Sequence, residues 1–355
     1  MKSTGVIGSS NSAWSVSCYL SSLGYDVYML VRHFDMVKAI AEKKEIKAYD
    51  KLNGTFKIKD ITDNAEEFMK QVSTIFICTV TTAYMDVMKR ISPYLRHGHE
   101  IILFSSKLGG VLEVTNFLRE KNITGVKVIE TDAIFASRIV SPDTVWIRGY
   151  KKWNLYSSEN TSETEKNSSI IKEFFPDLEQ AENFIQRGLT DFGAMAHPLI
   201  MLANMNKVDR KESFLFYYEG FTENTISLLE EMEKERNAIG QAYNTSFISL
   251  KELLDKYYCC MRDNLYDTLV HVPNYSKSIS PDTLNHRFVM EDICCSLVPA
   301  WYLARTAYIK TPLIDSVINI FSVILKRNFL QEGRTMERLG LSGKNKDDIL
   351  KFIYT

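Results

Sequence analysis

The 355-residue sequence contains no apolar run of the roughly 20 residues that a helix needs to cross a bilayer. It also lacks a charge of either sign in excess. The 43 Lys and Arg residues face 44 Asp and Glu residues, interspersed, for a formal net charge of -1. That balance argues against a nucleic-acid partner and against a polybasic membrane surface. Cysteine is scarce, with six residues at positions 18, 78, 259, 260, 294 and 295. Two adjacent pairs are not the spaced pairs that zinc requires, and neighbouring cysteines rarely bridge. All six read as reduced, small apolar residues of a cytoplasmic protein, and no metal is expected. There is no leader pattern, because the first four residues run directly into a strand. No internal repeat or low-complexity tail is visible.

What is present is a change of texture partway along. The first third alternates short β-rich runs with helical stretches. Strands are expected at 26–31, 55–61, 73–79, 100–106 and 126–130, after a first one ending at Val6 and Ile7. Helices are expected at 12–23, from Asp35 (as cap) to about Lys44, and at 83–95 and 110–121. Apolar strands alternating with helices imply a parallel sheet covered on both faces. Three runs between 138 and 156 suggest antiparallel strands that finish the sheet. From about Ile185 the period is helical. The reading is α/β: an N-terminal Rossmann-like dinucleotide-binding domain over 1–180, followed by an all-α domain over 181–355. The boundary is expected between Ser157 and Arg187.

The first turn carries chemistry. Residues 6–13 (VIGSSNSA) form a degenerate G-x-G-x-x-A signature. Gly8 permits the tight turn and Ala13 lets the helix pack on the sheet, while Ser10 stands where a glycine normally lets backbone approach a pyrophosphate. Ser10 is expected to donate to phosphate instead. Ser9, Asn11 and Ser12 complete the loop, and the helix start offers free N–H groups to an anion. The second strand ends in Arg32 and His33 rather than in the acid that would hold the ribose of NAD. A guanidinium suits a 2′-phosphate, so NADP(H) is favoured over NAD(H). Thr79, Val80 and Thr81 follow the next strand as a candidate cofactor wall.

The helical half opens with His197 and Pro198 at the mouth of an apolar run (residues 197–204, HPLIMLAN). An imidazole there is placed to trade a proton near neutral pH. With residues 216–220 (FYYEG), 229–238 (LEEMEKERNA), 285–293 (NHRFVMEDI) and 311–315 (TPLID), this run resembles the opine dehydrogenases of the octopine/nopaline type. The segments occur in the family's order, and the likeness spans nearly the whole chain. The resemblance implies reductive condensation of an amino acid with a 2-oxo acid through an imine, and reversible oxidation of the opine. It implies a catalytic trio matching His197, Arg287 and Asp292, with the site in the cleft between domains. Arg138 and Asn204 are further candidates for substrate contact. Two departures stand out. Ser10 replaces a glycine, and residues 136–138 (ASR) lack the acid expected in the metallophore branch.

The chemistry fits these residue types. An imine nitrogen becomes more basic as hydride arrives, so His197 serves as acid, and as base in reverse. Asp292 would fix its tautomer and favour its charged form, and Arg287 suits a substrate carboxylate. Spacing alone is less kind. Residues five apart on a regular helix differ by about 140°, and Arg287 with Glu291 would be an ordinary surface ion pair. The trio converges only if Arg287 starts the helix or the segment bends. Glu219–Gly220 and Glu235–Arg236 read as a buried pair stitching the helical domain, and His97 and His99 as solvent-facing. The competing readings are a ketopantoate-reductase-like NADP enzyme and a non-catalytic NADP(H) sensor. The former leans on a lysine, and none is evident beside His197. Expected partners are small-molecule substrates, with a possible homodimer.

Overall fold

A computed structural model describes residues 2–355. The chain divides into two units. The first comprises residues 1–106, 114–158 and 163–179, and the second comprises 107–113, 159–162 and 180–355.

The first unit is built on an eight-stranded sheet. Its strands are β1 (Ser3–Ile7), β2 (Asp26–Leu30), β5 (Asp60–Thr62), β6 (Thr74–Ile77), β7 (Glu100–Phe104), β8 (Lys127–Thr131), β11 (Leu155–Ser157) and β12 (Glu179–Gln180). They lie in the order β12-β11-β8-β7-β6-β1-β2-β5. From β5 to β8 every pairing is parallel. Numbered by first appearance, those six strands follow 3-2-1-4-5-6, the doubly wound order whose reversal between the first and fourth strands creates a ligand crevice. The strands are nearly all apolar because both faces are covered; β6 and most of β7 are wholly buried.

Three expectations are corrected here. Of the runs after 138, only β11 joins the main sheet, antiparallel to β8. β9 (Phe135–Ser141) and β10 (Thr144–Tyr150) instead form a separate four-stranded sheet with β3 (Glu45–Asp50) and β4 (Gly54–Lys57). That sheet is tied to the helix Asn11–Ser22, whose Asn11 Oδ1 accepts the Ile139 N–H at 2.8 Å. The single strand expected over 55–61 is likewise two. β4 pairs with β3, and β5 pairs with β2. The break at 58–59 sends the backbone N–H of Ile58 to Lys44 and that of Lys59 to Val27. Asp35 does not cap a helix: it lies inside a 3-10 turn, Phe34–Val37, ahead of a short helix Lys38–Lys43.

The second unit is helical. Its longest helix, Glu223–Ala242, buries Ile226, Leu229, Met232 and Ile239 on one face, as the apolar stripe predicts. Glu235 and Arg236 are both buried but do not pair with each other, which corrects the expected pair. The Glu235 carboxylate accepts the N–H groups of Leu313 (2.6 Å) and Ile314 (2.9 Å), capping the helix Pro312–Leu325. Arg236 donates to the carbonyls of Leu189 (2.6 Å) and Ile248 (2.9 Å). Each charge thus satisfies orphan backbone groups, which is how a buried ion avoids an unpaired penalty.

Candidate active site

In the first unit, the turn after β1 is closed tightly. Gly8 takes φ +131°, and a Cβ there would stand 3.0 Å from the Cys78 carbonyl oxygen. Only glycine fits such a position without strain. Ser10 is the N-cap of Asn11–Ser22, accepting the Ala13 N–H at 3.3 Å and donating its own proton to the Cys78 carbonyl at 2.8 Å. Its one hydroxyl hydrogen is therefore spent on the protein, which corrects the expectation of a bond to phosphate. Asn11 is similarly committed to the small sheet, while Ser9 and Ser12 stay half-buried and Ala13 is fully buried beneath the helix.

The turn still fits a dinucleotide. The first turn of that helix carries no acid, and its leading N–H groups lack intrahelical partners. The buried Thr79 hydroxyl has no hydrogen-bond partner among the described residues. Val80 is exposed, whereas Thr81 is buried and donates to the Ser105 carbonyl at 2.9 Å. Arg32 and His33 are exposed just past β2. Arg138 is an exposed residue of β9, across from Trp146 in the small sheet.

In the second unit, Asp191 starts the helix Phe192–Ala203 by accepting the Ala194 N–H at 3.2 Å. His197 lies in its second turn, ahead of Pro198, which has no N–H to offer the Ala194 carbonyl. One turn earlier, a Cβ at Gly193 would come within 2.7 Å of His197 Cε1. The bare glycine is what gives the imidazole its place. His197 Nδ1 is 2.7 Å from Asp292 Oδ2, and Nε2 is 2.8 Å from Tyr217 Oη. A carboxylate only accepts, so Nδ1 carries the hydrogen and Nε2 of the neutral ring accepts from Tyr217. Phe288 stacks on the imidazole at 4.0 Å between centroids, and Tyr275 stacks on Tyr217 at 3.9 Å.

Asp292 has a second partner. Its Oδ1 accepts from Lys107 Nζ at 2.6 Å, and the same ammonium reaches Asp191 Oδ2 at 2.9 Å. All three side chains are less than a tenth exposed. Burial pushes the Asp292 carboxyl upward, but the Lys107 and His197 charges and the His197 hydrogen bond outweigh it and hold the group below its ordinary value.

The segment carrying Asp292 brings His197 and Asp292 together but leaves Arg287 without a contact to either. His286 is the N-cap of the helix Arg287–Asp292, so Arg287 stands at its start and Asp292 at its end. Arg287 is exposed, its guanidinium 5.2 Å from the centre of the Phe288 ring that stacks on His197. Glu291 is buried rather than at the surface. The helix then widens into a π-helical stretch, Ile293–Leu297, a form frequent at functional sites.

With this geometry established, comparison with known proteins is informative. Residues 180–325 match the family model described as NAD/NADP octopine/nopaline dehydrogenase, alpha-helical domain. The chain is 29% identical to an opine dehydrogenase of Arthrobacter sp. (strain 1C), over 96% of each chain. Over residues 180–325 the chain carries the octopine/nopaline dehydrogenase helical domain, and over nearly its whole length it is similar to an opine dehydrogenase. The chain is an NAD(P)-dependent oxidoreductase of the class acting on CH–NH donors. Among solved structures, an octopine dehydrogenase in complex with NADH and agmatine superposes with a TM-score of 0.80 at 19% identity, covering 99% of this chain and 98% of that one. A PanE/ApbA family ketopantoate reductase from Ralstonia eutropha JMP134 shares the fold at a TM-score of 0.62 and 14% identity, over 91% and 98% of the two chains.

Several residues differ from expectation. Asn204 donates both amide hydrogens to backbone carbonyls, those of Ile200 and Gly220 at 3.0 Å each. It pins two segments together and has no donor left for a substrate. His99 is buried rather than solvent-facing, its Nδ1 accepting the Arg96 N–H at 2.9 Å. Sequence reasoning missed Lys107, Asp191 and Gly193, and gave Tyr217 no role. Lys107 lies beside Asp292 rather than beside His197, where no lysine was expected. Asp191 was legible as an N-cap ahead of an apolar run. Lys107 was not, because it lies about 90 residues from His197 in a polar loop after a strand.

Proposed function

We propose that this protein catalyses the reversible, NADP(H)-linked reductive condensation of an amino acid with a 2-oxo acid, giving a secondary amine dicarboxylate. The observation that carries the reading is the imidazole fixed through Nδ1 by Asp292, with Nε2 presented to a phenol. The nicotinamide, when bound, supplies the hydride that reduces the imine carbon. Gly8, the start of the helix Asn11–Ser22 and the wall at Thr79, Val80 and Thr81 would hold its phosphates and ribose. Arg32 and His33, with no acid at the end of β2, support a 2′-phosphate over a free 2′-hydroxyl.

The protein's own part is a proton and two carboxylates. Protonated His197 gives its Nε2 hydrogen to the substrate nitrogen as that nitrogen gains basicity, and Asp292 compensates the imidazolium until then. In opine oxidation the neutral ring removes the same proton. Tyr217, hydrogen-bonded at Nε2, either yields its place to the substrate nitrogen or passes the proton on through its own hydroxyl. Arg287, exposed beside the Phe288 ring, suits a substrate carboxylate, since both condensing molecules carry one.

The test is NADPH and NADH absorbance over a matrix of amino acids against pyruvate, 2-oxoglutarate and glyoxylate. Oxidation of NADPH only when amine and oxo acid are both present is the expected result. Oxidation with an oxo acid alone would replace this reading by that of a ketopantoate-reductase-like enzyme. Lys107 supplies that alternative with a lysine, but its ammonium already serves two buried carboxylates and is poorly placed for a substrate.

A further inference from the structure

Lys107, Asp191 and Asp292 form a buried cluster that the reaction as described does not need. Two carboxylates and one ammonium meet within 3 Å contacts, all on segments of the helical unit. The loop bearing Lys107 is itself clamped. Leu108 N–H donates to the Cys295 carbonyl at 3.0 Å. The fully buried Arg334 donates to the carbonyls of Leu108 (2.8 Å) and Cys295 (3.3 Å), and its guanidinium pairs with Glu113 at 2.8 Å. Cys295 belongs to the π-helical stretch that follows Asp292. The loop and the end of the Asp292 helix are thus held in one register by backbone and ionic contacts.

We propose that Lys107 is a positioning residue that locks the Asp292 carboxylate by its Oδ1, so that Oδ2 meets His197 in one orientation and one tautomer. This rests on the proposed role of His197. Without the ammonium, Asp292 rotates about its last bond, and a second buried carboxylate, Asp191, competes for the same donors. An aspartate that cannot choose its oxygen cannot fix which imidazole nitrogen carries the hydrogen. Only the Nδ1–H form leaves Nε2 free to remove the opine proton. The other groups around this ring are Tyr217 at Nε2, the rings of Phe216 and Phe288, and the His286 imidazole as an electrostatic neighbour. None of them hydrogen-bonds Nδ1. Asp191 has a separate duty as N-cap, which an asparagine performs equally well. That separates charge balance from positioning.

The experiment uses full-length protein labelled with 15N-histidine, comparing the wild type with Lys107→Met and with the double variant Lys107→Met, Asp191→Asn. The double variant removes one carboxylate with the ammonium and guards against loss of folding. The His197 resonances, assigned with His197→Asn, report the tautomer without any substrate. Turnover is followed as opine oxidation. Positioning predicts that both variants lose the pure Nδ1–H tautomer. It also predicts that kcat falls by about 10- to 100-fold, the scale for partners that orient a histidine elsewhere, with KM for NADP+ unchanged. Ethylamine added to Lys107→Ala should restore part of kcat in the oxidation direction. A double variant with the wild-type tautomer and turnover would show that Lys107 only balances Asp191, and would overturn the proposal. An inactive wild type with an intact Nδ1–H signal would instead count against the reaction assigned and leave the positioning result standing.

Discussion

At the scale of single residues, the account concentrates on two side chains with separable duties. In the proposed reaction His197 moves a proton and is given no part in holding the nucleotide. His197→Asn should therefore lower kcat/KM by about 10²- to 10⁴-fold, the usual worth of an acid–base group. NADPH affinity, measured by fluorescence titration, should stay within about twofold. Arg32 has the opposite profile. Arg32→Asp should shift the ratio of kcat/KM values toward NADH while leaving kcat with saturating NADH nearly unchanged, and an unaltered ratio would remove Arg32 from the site. Both residues were legible in the sequence because each sits at a marked place: the end of a second strand, and the mouth of an apolar run. Lys107 was not, since charge pairing across 84 residues leaves no local pattern; Asp191 showed only as an N-cap, not as its partner. Ser10 was misassigned because a small hydroxyl at a turn can serve phosphate or backbone equally well. A carbonyl supplied 68 residues away, by Cys78, decides between them.

At the scale of elements, the helix Phe192–Ala203 and the helix Arg287–Asp292 define the site by how they begin. The first needs a glycine one turn ahead of its histidine. Gly193→Ala should hold or raise Tm, since alanine favours a helix interior by up to about 1 kcal/mol over glycine. It should nonetheless lower kcat by about tenfold, because the new methyl stands where His197 Cε1 lies. Parallel loss of Tm and kcat would point to general disruption instead. The second helix begins at His286, whose Nδ1 accepts the Phe288 N–H at 3.3 Å. Burial, then the nearby Arg287 charge, push its imidazole down to about 4 from an ordinary 6.5. Between those values the unfolded chain binds the proton and the folded one does not, so stability rises with pH across the window and is lost as pH falls through it. Asparagine is a good N-cap without a titrating ring. His286→Asn should flatten the dependence of Tm on pH between about 4 and 6.5, as followed by thermal melts. The five-residue spacing of Arg287 and Asp292 looked unfavourable on paper, and the helix does run from one to the other: Asp292 is buried against His197, while Arg287 is exposed beside the Phe288 ring that stacks on His197.

At the scale of the whole molecule, the sequence made the alternating first half and the helical second half plain, because buried parallel strands and amphipathic helices carry different periods. It concealed the second sheet. β3, β4, β9 and β10 are short, half-exposed strands gathered from segments up to about 90 residues apart, and no local period distinguishes them from strands that extend the main sheet. It also concealed that residues 107–113 belong with the helical unit, which is how Lys107 comes to pair with Asp292. The central claim is that hydride ends on a carbon bound to nitrogen while His197 handles the proton. The direct measurement is mass spectrometry of the product formed from deuterated NADPH, a 2-oxo acid and an amino acid. The predicted product is a secondary amine dicarboxylate carrying one deuterium on the carbon derived from the oxo acid, absent with His197→Asn. Deuterium recovered in a 2-hydroxy acid, with the amino acid unconsumed, would contradict the account.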